Sequence, residues 1–281
     1  MLKRRLGPWE LSALGLGGMP LSLQKRPPES EAIALIHAAL DGGITLIDTA
    51  DVYCIDHRDI GHNERLIAKA LRDRSDRSKV LVATKGGLER PGGDWTCNGR
   101  PEHMVSACNA SLRALGVEQI ALYQIHAPDE DVPWAETVGA VARLREAGKI
   151  QEVGLSNVTV EQIEEARALV PVVAVQNRCH FLDRSAWEEG VIDHCTRENI
   201  TFLAYSPVGG SGDYADIGAD PRLNAVARAH GASPYEVALA WLLTKSPVML
   251  PIPGASRMSS LRSILRAGEL GLGEEELKGL G

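Results

Sequence analysis

Short apolar runs alternate with segments of helical periodicity along almost the whole chain. Within residues 29–40, Ile33 and Ile36 recur at helical spacing. Gly42 follows at the place where such a helix would end. The next run, residues 44–50, is typical of a buried strand. The predicted strands are 12–17, 44–50, 79–85, 120–126, 150–155, 171–176, 200–205 and 248–252, and the predicted helices are 29–40, 63–71, 100–115, 134–147, 159–169, 187–199, 221–230, 234–243, 259–267 and a short terminal one within 271–278.

Ahead of these units, residues 3–11 predict a short β-hairpin whose turn lies at Gly7-Pro8. From residue 12 onward there are eight predicted strands, each followed by a helical segment. The strands are too apolar to face water, so we expect a parallel sheet covered by helices. Eight such units favour a closed barrel over an open sheet. We therefore predict an α/β fold, a single (β/α)8 TIM barrel with an N-terminal β-hairpin, as one domain over residues 1–281.

The composition is that of an ordinary globular protein, with 44% hydrophobic and 24% charged residues. A formal net charge of -7 argues against a nucleic-acid-binding surface. The five cysteines form no C-x-x-C pair, so neither a disulfide framework nor a metal site is predicted. No apolar run reaches the length that spans a bilayer, and Pro8 and Glu10 interrupt what would be the apolar part of a signal peptide. We expect a cytoplasmic protein.

Polar or titratable side chains follow the C-terminal ends of seven of the eight predicted strands. In a (β/α)8 barrel these ends meet on one rim, where active sites lie. Each residue alone has an ordinary structural explanation, and the segment 44–53 by itself is more typical of a buried strand with a polar cap. Seven such ends on one rim favour a functional site. The residues are Asp48 with Tyr53, Lys85, His126, Ser156-Asn157, Gln176-Asn177, Tyr205-Ser206 and the stretch 253–257.

Four of these residues suit acid–base chemistry at a carbonyl group. Tyr53 is a phenol, whose ordinary pKa of about 10 makes it a weak acid at neutral pH. The ammonium of Lys85 would lower that pKa, and the carboxylate of Asp48 would keep the lysine charged and in place. His126 can donate a hydrogen bond to a carbonyl oxygen. None of the four is a suitable nucleophile for this reaction, so we expect the attacking species to be a hydride from a cofactor.

The sequence resembles the aldo-keto reductase superfamily over nearly its whole length. Together the matching segments are far more specific than any one short motif. They are Arg5-Leu-Gly, Leu14-Gly-Leu-Gly17, Gly43-Ile-Thr-Leu-Ile-Asp-Thr-Ala-Asp-Val-Tyr53, His62-Asn-Glu64, Ala83-Thr-Lys85, Leu122-Tyr-Gln-Ile-His126, Gly148-Lys-Ile, Gly154-Leu-Ser-Asn157, Gln176-Asn177, Ala204-Tyr-Ser-Pro207 and Ile252-Pro-Gly254-Ala-Ser256.

The resemblance implies a (β/α)8 barrel that binds a nicotinamide cofactor in extended form, without a Rossmann fold. It implies that Tyr53 is the general acid in reduction and that Lys85, together with Asp48, adjusts the pKa of that tyrosine. It also implies that His126 orients the carbonyl of a small-molecule substrate. The enzyme would then be an NAD(P)H-dependent carbonyl reductase or alcohol dehydrogenase.

The resemblance also implies a set of cofactor-binding residues. Ser156, Asn157 and Gln176 match the positions that hold the carboxamide, and Tyr205 matches the ring that stacks on the nicotinamide. The guanidinium of Arg257 suits a 2′-phosphate, so NADP(H) is the preferred cofactor and NAD(H) a possible one. The residues implied for the phosphates and the adenosine are Ser206, Gly254, Ser256 and Arg257.

The chain departs from the family pattern in two places. Cys54 follows the tyrosine where the family usually has glycine, and it begins a longer loop, residues 54–61, in the substrate region. In the helix after Ser256, the family often carries an Arg and a Glu-Asn pair that hold the adenosine. The corresponding positions here are Ser260, Ser263 and Ile264, and Arg262 is a candidate substitute for the Arg.

Three alternatives stay open at this point. The barrel could be a cofactor-binding, redox-sensing or regulatory subunit whose turnover is incidental. Lys85 could instead form a Schiff base, as in a lyase. Trp95 has two interpretations, a wall of the substrate pocket or a surface tryptophan over the edge of the core. The substrate, the direction of the reaction and the oligomeric state are not determined by these patterns.

Overall fold

The computed structural model describes all residues, 1–281. The strands are β1 (Lys3–Leu6), β2 (Trp9–Ser12), β3 (Leu16–Gly17), β4 (Leu46–Asp48), β5 (Leu81–Gly86), β6 (Leu88–Glu89), β7 (Thr96–Cys97), β8 (Ile120–Ile125), β9 (Ile150–Ser156), β10 (Val172–Arg178), β11 (Thr201–Tyr205) and β12 (Met249–Pro251). The helices are α1 (Glu29–Asp41), α2 (His62–Leu71), α3 (Pro101–Leu115), α4 (Trp134–Glu146), α5 (Val160–Arg167), α6 (Ser185–Glu188), α7 (Val191–Glu198), α8 (Gly210–Ala219), α9 (Pro221–His230), α10 (Pro234–Lys245), α11 (Met258–Ala267) and α12 (Glu274–Leu280). None of these helices is both long and apolar enough to cross a membrane.

Eight parallel strands form the central sheet, in the order β3-β4-β5-β8-β9-β10-β11-β12. Its two outer strands meet, because the backbone N–H of Gly15 bonds Pro251 O and that of Gly17 bonds Pro253 O, both at 3.0 Å. A Cβ on Gly17 would lie 2.8 Å from the backbone oxygen of Ile252, so glycine is needed where the barrel closes. The predicted (β/α)8 barrel is confirmed.

The N-terminal hairpin is also confirmed, and it plugs one end of the barrel. β1 and β2 pair antiparallel with Leu6 opposite Trp9, and Gly7 takes the positive φ of the turn. Leu6 and Leu11 are buried against residues inside the barrel, among them Leu81. The Thr201 hydroxyl donates to Arg5 O at 2.6 Å, which ties the hairpin to the start of β11. The opposite end, where the strands finish, is left free for a site.

Several predicted boundaries are wrong. Residue 12 belongs to the hairpin, and the first barrel strand is only two residues long. The predicted helix 187–199 is two helices, α6 and α7, because Gly190 takes a φ of 75° between them. Helix α8 was not predicted, since its sequence is rich in glycine. The small hairpin of β6 and β7 was also missed, because each of its strands has only two residues.

Candidate active site

The polar residues of the rim form a layer at the C-terminal end of the barrel interior. Side chains alternate along a strand, so inward-facing positions lie two residues apart. One inward layer is apolar and contains Leu46, Ala83, Leu122 and Ala174. Two residues further along the same four strands come Asp48, Lys85, Gln124 and Gln176, all of them buried. The alternation thus places an acid, a base and two amides side by side above the apolar core.

The ammonium of Lys85 is the centre of this layer. Its Nζ donates to Asp48 Oδ2 at 2.6 Å, to Tyr53 Oη at 3.0 Å and to the backbone oxygen of Thr49 at 2.9 Å. These three bonds use all three N–H groups of a lysine. The side chains of Lys85 and Asp48 are 0% and 2% exposed. Although burial lowers the pKa of Lys85, Asp48 and Tyr53 outweigh it and raise the pKa above its usual value.

Asp48 is held through its second oxygen by the two buried amides. Gln176 Nε2 donates to Asp48 Oδ1 at 2.8 Å, and Gln124 Nε2 donates to the same oxygen at 3.3 Å. Gln176 Nε2 also bonds Gln124 Oε1 at 3.1 Å. A buried ion pair is tolerated when its remaining lone pairs are satisfied in this way. Gln124 was missed in the sequence, although its place two residues after Leu122 marks it as inward-facing.

Tyr53 reaches this layer from the loop after β4. Its side chain is buried, with 7% of the residue exposed. The loop is tied down through Thr49, whose hydroxyl donates to Asn63 Oδ1 at 2.6 Å. Burial raises the pKa of Tyr53, and the nearby Lys85 ammonium only partly offsets it. Lys85 thus acts on this pKa in the predicted direction, but the net shift is upward, because desolvation of a phenolate outweighs one already paired ammonium.

His126 lies beside Tyr53 at the end of β8. The two rings meet edge to face with their centroids 5.8 Å apart. Burial, together with the charge of Lys85, lowers the pKa of His126 well below its ordinary value. The ring is therefore neutral near pH 7 and carries one N–H that can donate. Its Nδ1 is buried without a hydrogen-bond partner.

The amide and hydroxyl residues implied for the carboxamide lie on the adjoining strand ends. Asn157 adopts a φ of 58°, and its Nδ2 donates to His126 O at 2.9 Å and to Ser156 Oγ at 3.1 Å. The Tyr205 hydroxyl donates to Asn157 Oδ1 at 2.8 Å. Gln176 uses its amide nitrogen on Asp48, which leaves its carbonyl oxygen to accept. Asn157 thus links Ser156, Tyr205 and the backbone of His126, whereas Gln176 belongs to the buried layer around Asp48.

The residues implied for the phosphates lie where β11 and β12 end. Ser206 has a φ of 49°, and Gly254 pairs with Gly17 across the barrel closure. Ser256 and Arg257 immediately precede α11, where Arg257 is the N-cap and is exposed. The first backbone N–H groups of a helix favour anions. This end of the barrel therefore offers hydroxyl, backbone N–H and guanidinium donors together.

The structure also explains the departures noted in α11. The Ser263 hydroxyl donates to Glu236 Oε1 at 2.9 Å, so it faces α10. Ile264 is buried with 4% exposure. Neither can take the place of the Glu-Asn pair. Arg257, at the N-cap, and Arg262, within α11, are both exposed. They are the residues of this region that remain as candidates to bind an adenosine or a phosphate.

Trp95 and Arg90 lie beside the rings of Tyr53 and His126. The Trp95 ring lies 6.4 Å from the Tyr53 ring and 6.3 Å from the His126 ring, centroid to centroid. The guanidinium of Arg90 stacks over Trp95 at 3.9 Å. Arg90 is 2% exposed, and its Nη2 donates to the backbone oxygens of Cys54 and Ile55. Trp95 is 46% exposed, so it lies at the surface, and its ring contacts also make it a wall beside Tyr53 and His126.

Arg90 was missed because nothing in the sequence distinguishes it from a surface arginine of the 88–97 loop. Its backbone oxygen also accepts from the His57 N–H at 2.9 Å. The loop that begins at Cys54 is thus attached to the β6–β7 hairpin through one residue. Cys54 itself is fully buried, and burial raises the pKa of its thiol to about 11.

Comparison with known proteins gives a consistent result. The family model described as Aldo/keto reductase family matches residues 13–280. An oxidoreductase of Schizosaccharomyces pombe is 35% identical over 96% of this chain and 86% of its own length. A thermostable aldo-keto reductase, solved with the inhibitor epalrestat, is 31% identical with a TM-score of 0.85, over 100% of this chain and 98% of the other. An aldo-keto reductase from Klebsiella pneumoniae, solved with NADPH, is 26% identical with a TM-score of 0.81, over 100% and 94% of the two chains.

These matches cover the barrel from its first strand to its last helix, and with them every residue of the site described above. The chain belongs to the aldo/keto reductase family.

Proposed function

We propose that this protein is an NAD(P)H-dependent oxidoreductase that interconverts an aldehyde or ketone and its alcohol, with Tyr53 as general acid/base. One observation carries the proposal. The Lys85 ammonium bonds both the Tyr53 hydroxyl and the Asp48 carboxylate, and all three side chains are buried. Membership of the family supports the oxidoreductase class. The geometry supports the finer assignment of the proton donor.

In reduction, the O–H bond of Tyr53 breaks and its proton goes to the carbonyl oxygen. The phenolate that remains lies 3.0 Å from Lys85 Nζ, and their attraction is strong because both groups are buried. The neutral ring of His126 donates its N–H to the same carbonyl oxygen and holds it in place. The nicotinamide supplies, when bound, the hydride that adds to the carbonyl carbon.

The cofactor assignment rests on the donors and acceptors along the rim. We assign Ser156, Asn157 and Gln176 to the carboxamide, and Tyr205 to stacking on the nicotinamide. Arg257 makes no ion pair within the chain and is suited to a 2′-phosphate, which favours NADP(H) over NAD(H). The NADPH complex of the Klebsiella pneumoniae relative supports this preference. The residues proposed for the phosphates and adenosine are Ser206, Gly254, Ser256 and Arg257.

A Schiff base on Lys85 is disfavoured by the same geometry. A lysine needs a free lone pair to attack a carbonyl carbon, so it must lose its proton. All three N–H groups of Lys85 are engaged, and its pKa is raised. The charged form is therefore the stable one.

The direct test is a panel of aliphatic, aromatic and sugar aldehydes and ketones, assayed with NADPH and NADH in parallel. We expect carbonyl-dependent consumption of NADPH, and a lower KM for NADPH than for NADH. Borohydride treatment with the same carbonyls is expected to leave Lys85 unmodified. If NADPH binds but no carbonyl in the panel is consumed, the result contradicts the proposed activity and supports a cofactor-binding regulatory subunit.

The three rings around the site indicate the kind of substrate. Tyr53, His126 and Trp95 present aromatic surfaces, and the one cation among the catalytic four, Lys85, is already paired. An uncharged carbonyl compound with an apolar or aromatic body fits these surfaces best. Because Arg90 supports Trp95 and the 54–61 loop together, we propose that it is a positioning residue for the substrate.

We expect Arg90→Lys to raise KM for an aromatic aldehyde roughly three- to thirtyfold, equivalent to a loss of about 0.7–2 kcal/mol. Lysine keeps the positive charge, but it has no planar guanidinium to stack on Trp95. It also lacks the geometry with which Arg90 donates to the backbone oxygens of Cys54 and Ile55. The turnover number and the affinity for NADPH should change little, since Arg90 does not touch the catalytic layer. Steady-state kinetics measures this split.

Arg100→Lys is the matched control, because Arg100 is exposed near the same hairpin and stacks on no ring. Trp95→Ala should reproduce the rise in KM, and adding Arg90→Lys to it should have little further effect. A fall in the turnover number without a change in KM would contradict the role proposed for Arg90.

A further inference from the structure

We propose that a groove between α2 and α3 is a second binding site, which takes an anionic amphiphile such as an alkyl carboxylate. The groove has a volume of about 860 Å³. It runs down to the loops that lead into β5 and β8, and none of the catalytic residues lines it. It is therefore separate from the proposed active site, and the inference goes beyond the proposed function.

The rim of the groove is strongly cationic. Its only lining carboxylate is Glu29, which is paired with Lys69. Arg72 and Arg113 are exposed and make neither an ion pair nor a side-chain hydrogen bond. The lining of the groove is thus positive, although the net charge of the chain is -7. The cations that line it are Arg65, Lys69, Arg72, Arg77 and Arg113.

The floor of the groove is apolar and reaches the outer wall of the barrel. Val82 points outward from β5, where a helix would normally cover it, and it is only half-buried. Val80 and Leu115 are also half-buried, and Val117 is 44% exposed. The gap between α2 and α3 thus leaves apolar side chains open to solvent beneath the guanidinium groups.

These two features together define the ligand. Guanidinium groups favour a carboxylate or phosphate, whereas the floor favours an alkyl chain. A small inorganic anion would use only the rim, and a neutral hydrocarbon would use only the floor. The volume lies in the range of small-molecule sites, which favours a small amphiphile over a protein partner. A medium-chain alkyl carboxylate meets all three requirements.

Isothermal titration calorimetry with decanoate tests the proposal. The titration uses the full-length protein saturated with NADPH and keeps decanoate below its critical micelle concentration. We expect one site per chain, with an affinity at least tenfold higher than that for decyltrimethylammonium, which has the same tail and the opposite charge. Acetate, which lacks the tail, should not compete. Equal affinity for the two amphiphiles, competition by acetate, or no heat of binding would each overturn the proposal.

Variants locate the site. Arg72→Gln with Arg113→Gln should weaken decanoate binding at least tenfold, and Val117→Asp should do the same by placing a carboxylate on the floor. Arg228→Gln is the matched control, since Arg228 is an exposed, unpaired arginine on α9. These variants should retain wild-type carbonyl reduction, which shows that they fold. If binding instead survives them and is lost in Trp95→Ala, decanoate occupies the active site and the groove is not its site.

Discussion

Replacing Tyr53 with phenylalanine is expected to lower the turnover number for carbonyl reduction roughly 10²- to 10⁴-fold, the usual contribution of a general acid. The change removes one oxygen, which is the proton donor in the proposed reaction. Lys85 keeps its bonds to Asp48 and Thr49, so the layer below should persist. The affinity for NADPH should therefore be unchanged. Turnover in steady state, together with NADPH titration by fluorescence, measures both quantities.

Tyr214→Phe is the matched control for this experiment. Tyr214 is 49% exposed and stacks on Tyr235, away from the catalytic layer. The Tyr214→Phe variant loses the same phenolic oxygen, but that oxygen has no contact with Lys85. The turnover number of this variant should equal that of the wild type. Full turnover in Tyr53→Phe would contradict proton donation by Tyr53. Loss of NADPH binding in the same variant would instead indicate a structural role for the hydroxyl.

The pH dependence of kcat/KM for the wild-type enzyme is a second test of Tyr53 as the proton donor. Because its pKa is raised, the phenol stays protonated at neutral pH, and the acid form is lost only as pH rises above its ordinary value of about 10. His126 has a lowered pKa and stays neutral down to pH values below its ordinary value of about 6.5. The kcat/KM for reduction should therefore be flat across neutral pH, while oxidation, which needs the phenolate, should rise with pH. A reduction rate that halves near pH 7 would contradict this assignment.

Lys85→Met is expected to have the second large effect, on activity and on stability together. Turnover should fall at least as far as in Tyr53→Phe, since the phenolate loses its counter-ion. The free energy of unfolding should fall by about 3–5 kcal/mol, the usual result when one partner of a buried ion pair is removed. The cause is Asp48, which would be left as a buried carboxylate with only amide donors from Gln124 and Gln176. Chemical denaturation measures the stability.

Two further variants separate charge from packing in that result. Adding Asp48→Asn to Lys85→Met removes the unpaired charge, so the double variant should regain part of the stability and none of the activity. Lys69→Met breaks the exposed pair with Glu29 and should cost no more than about 1 kcal/mol. If the single and the double variant are equally unstable, the loss comes from packing of the lysine chain, and the ion-pair explanation fails.

Much of the architecture followed from short-range patterns. Apolar runs identified the eight strands of the barrel, because strands of a covered parallel sheet are buried on both faces. Helical spacing identified most of the helices, because each of them buries one face. The four catalytic candidates were found for the same reason, since the ends of parallel strands share one rim in a barrel. The errors lay where local pattern is weak. Gly190 splits a helix, and α8 forms in a glycine-rich segment.

The chemical groups at the rim could be listed from the residue order: a carboxylate, a phenol, an ammonium, an imidazole and several amides. Their interactions depend on how the chain folds. Gln124 binds Asp48, and Arg90 joins Trp95 to the Cys54 loop, through contacts between residues far apart in the chain. Lys85 acts to lower the pKa of Tyr53, as its residue type predicted, but burial of the phenol raises that pKa overall. Residue order identifies the charged groups, but their energies depend on desolvation and on distance, which are set only in the folded chain.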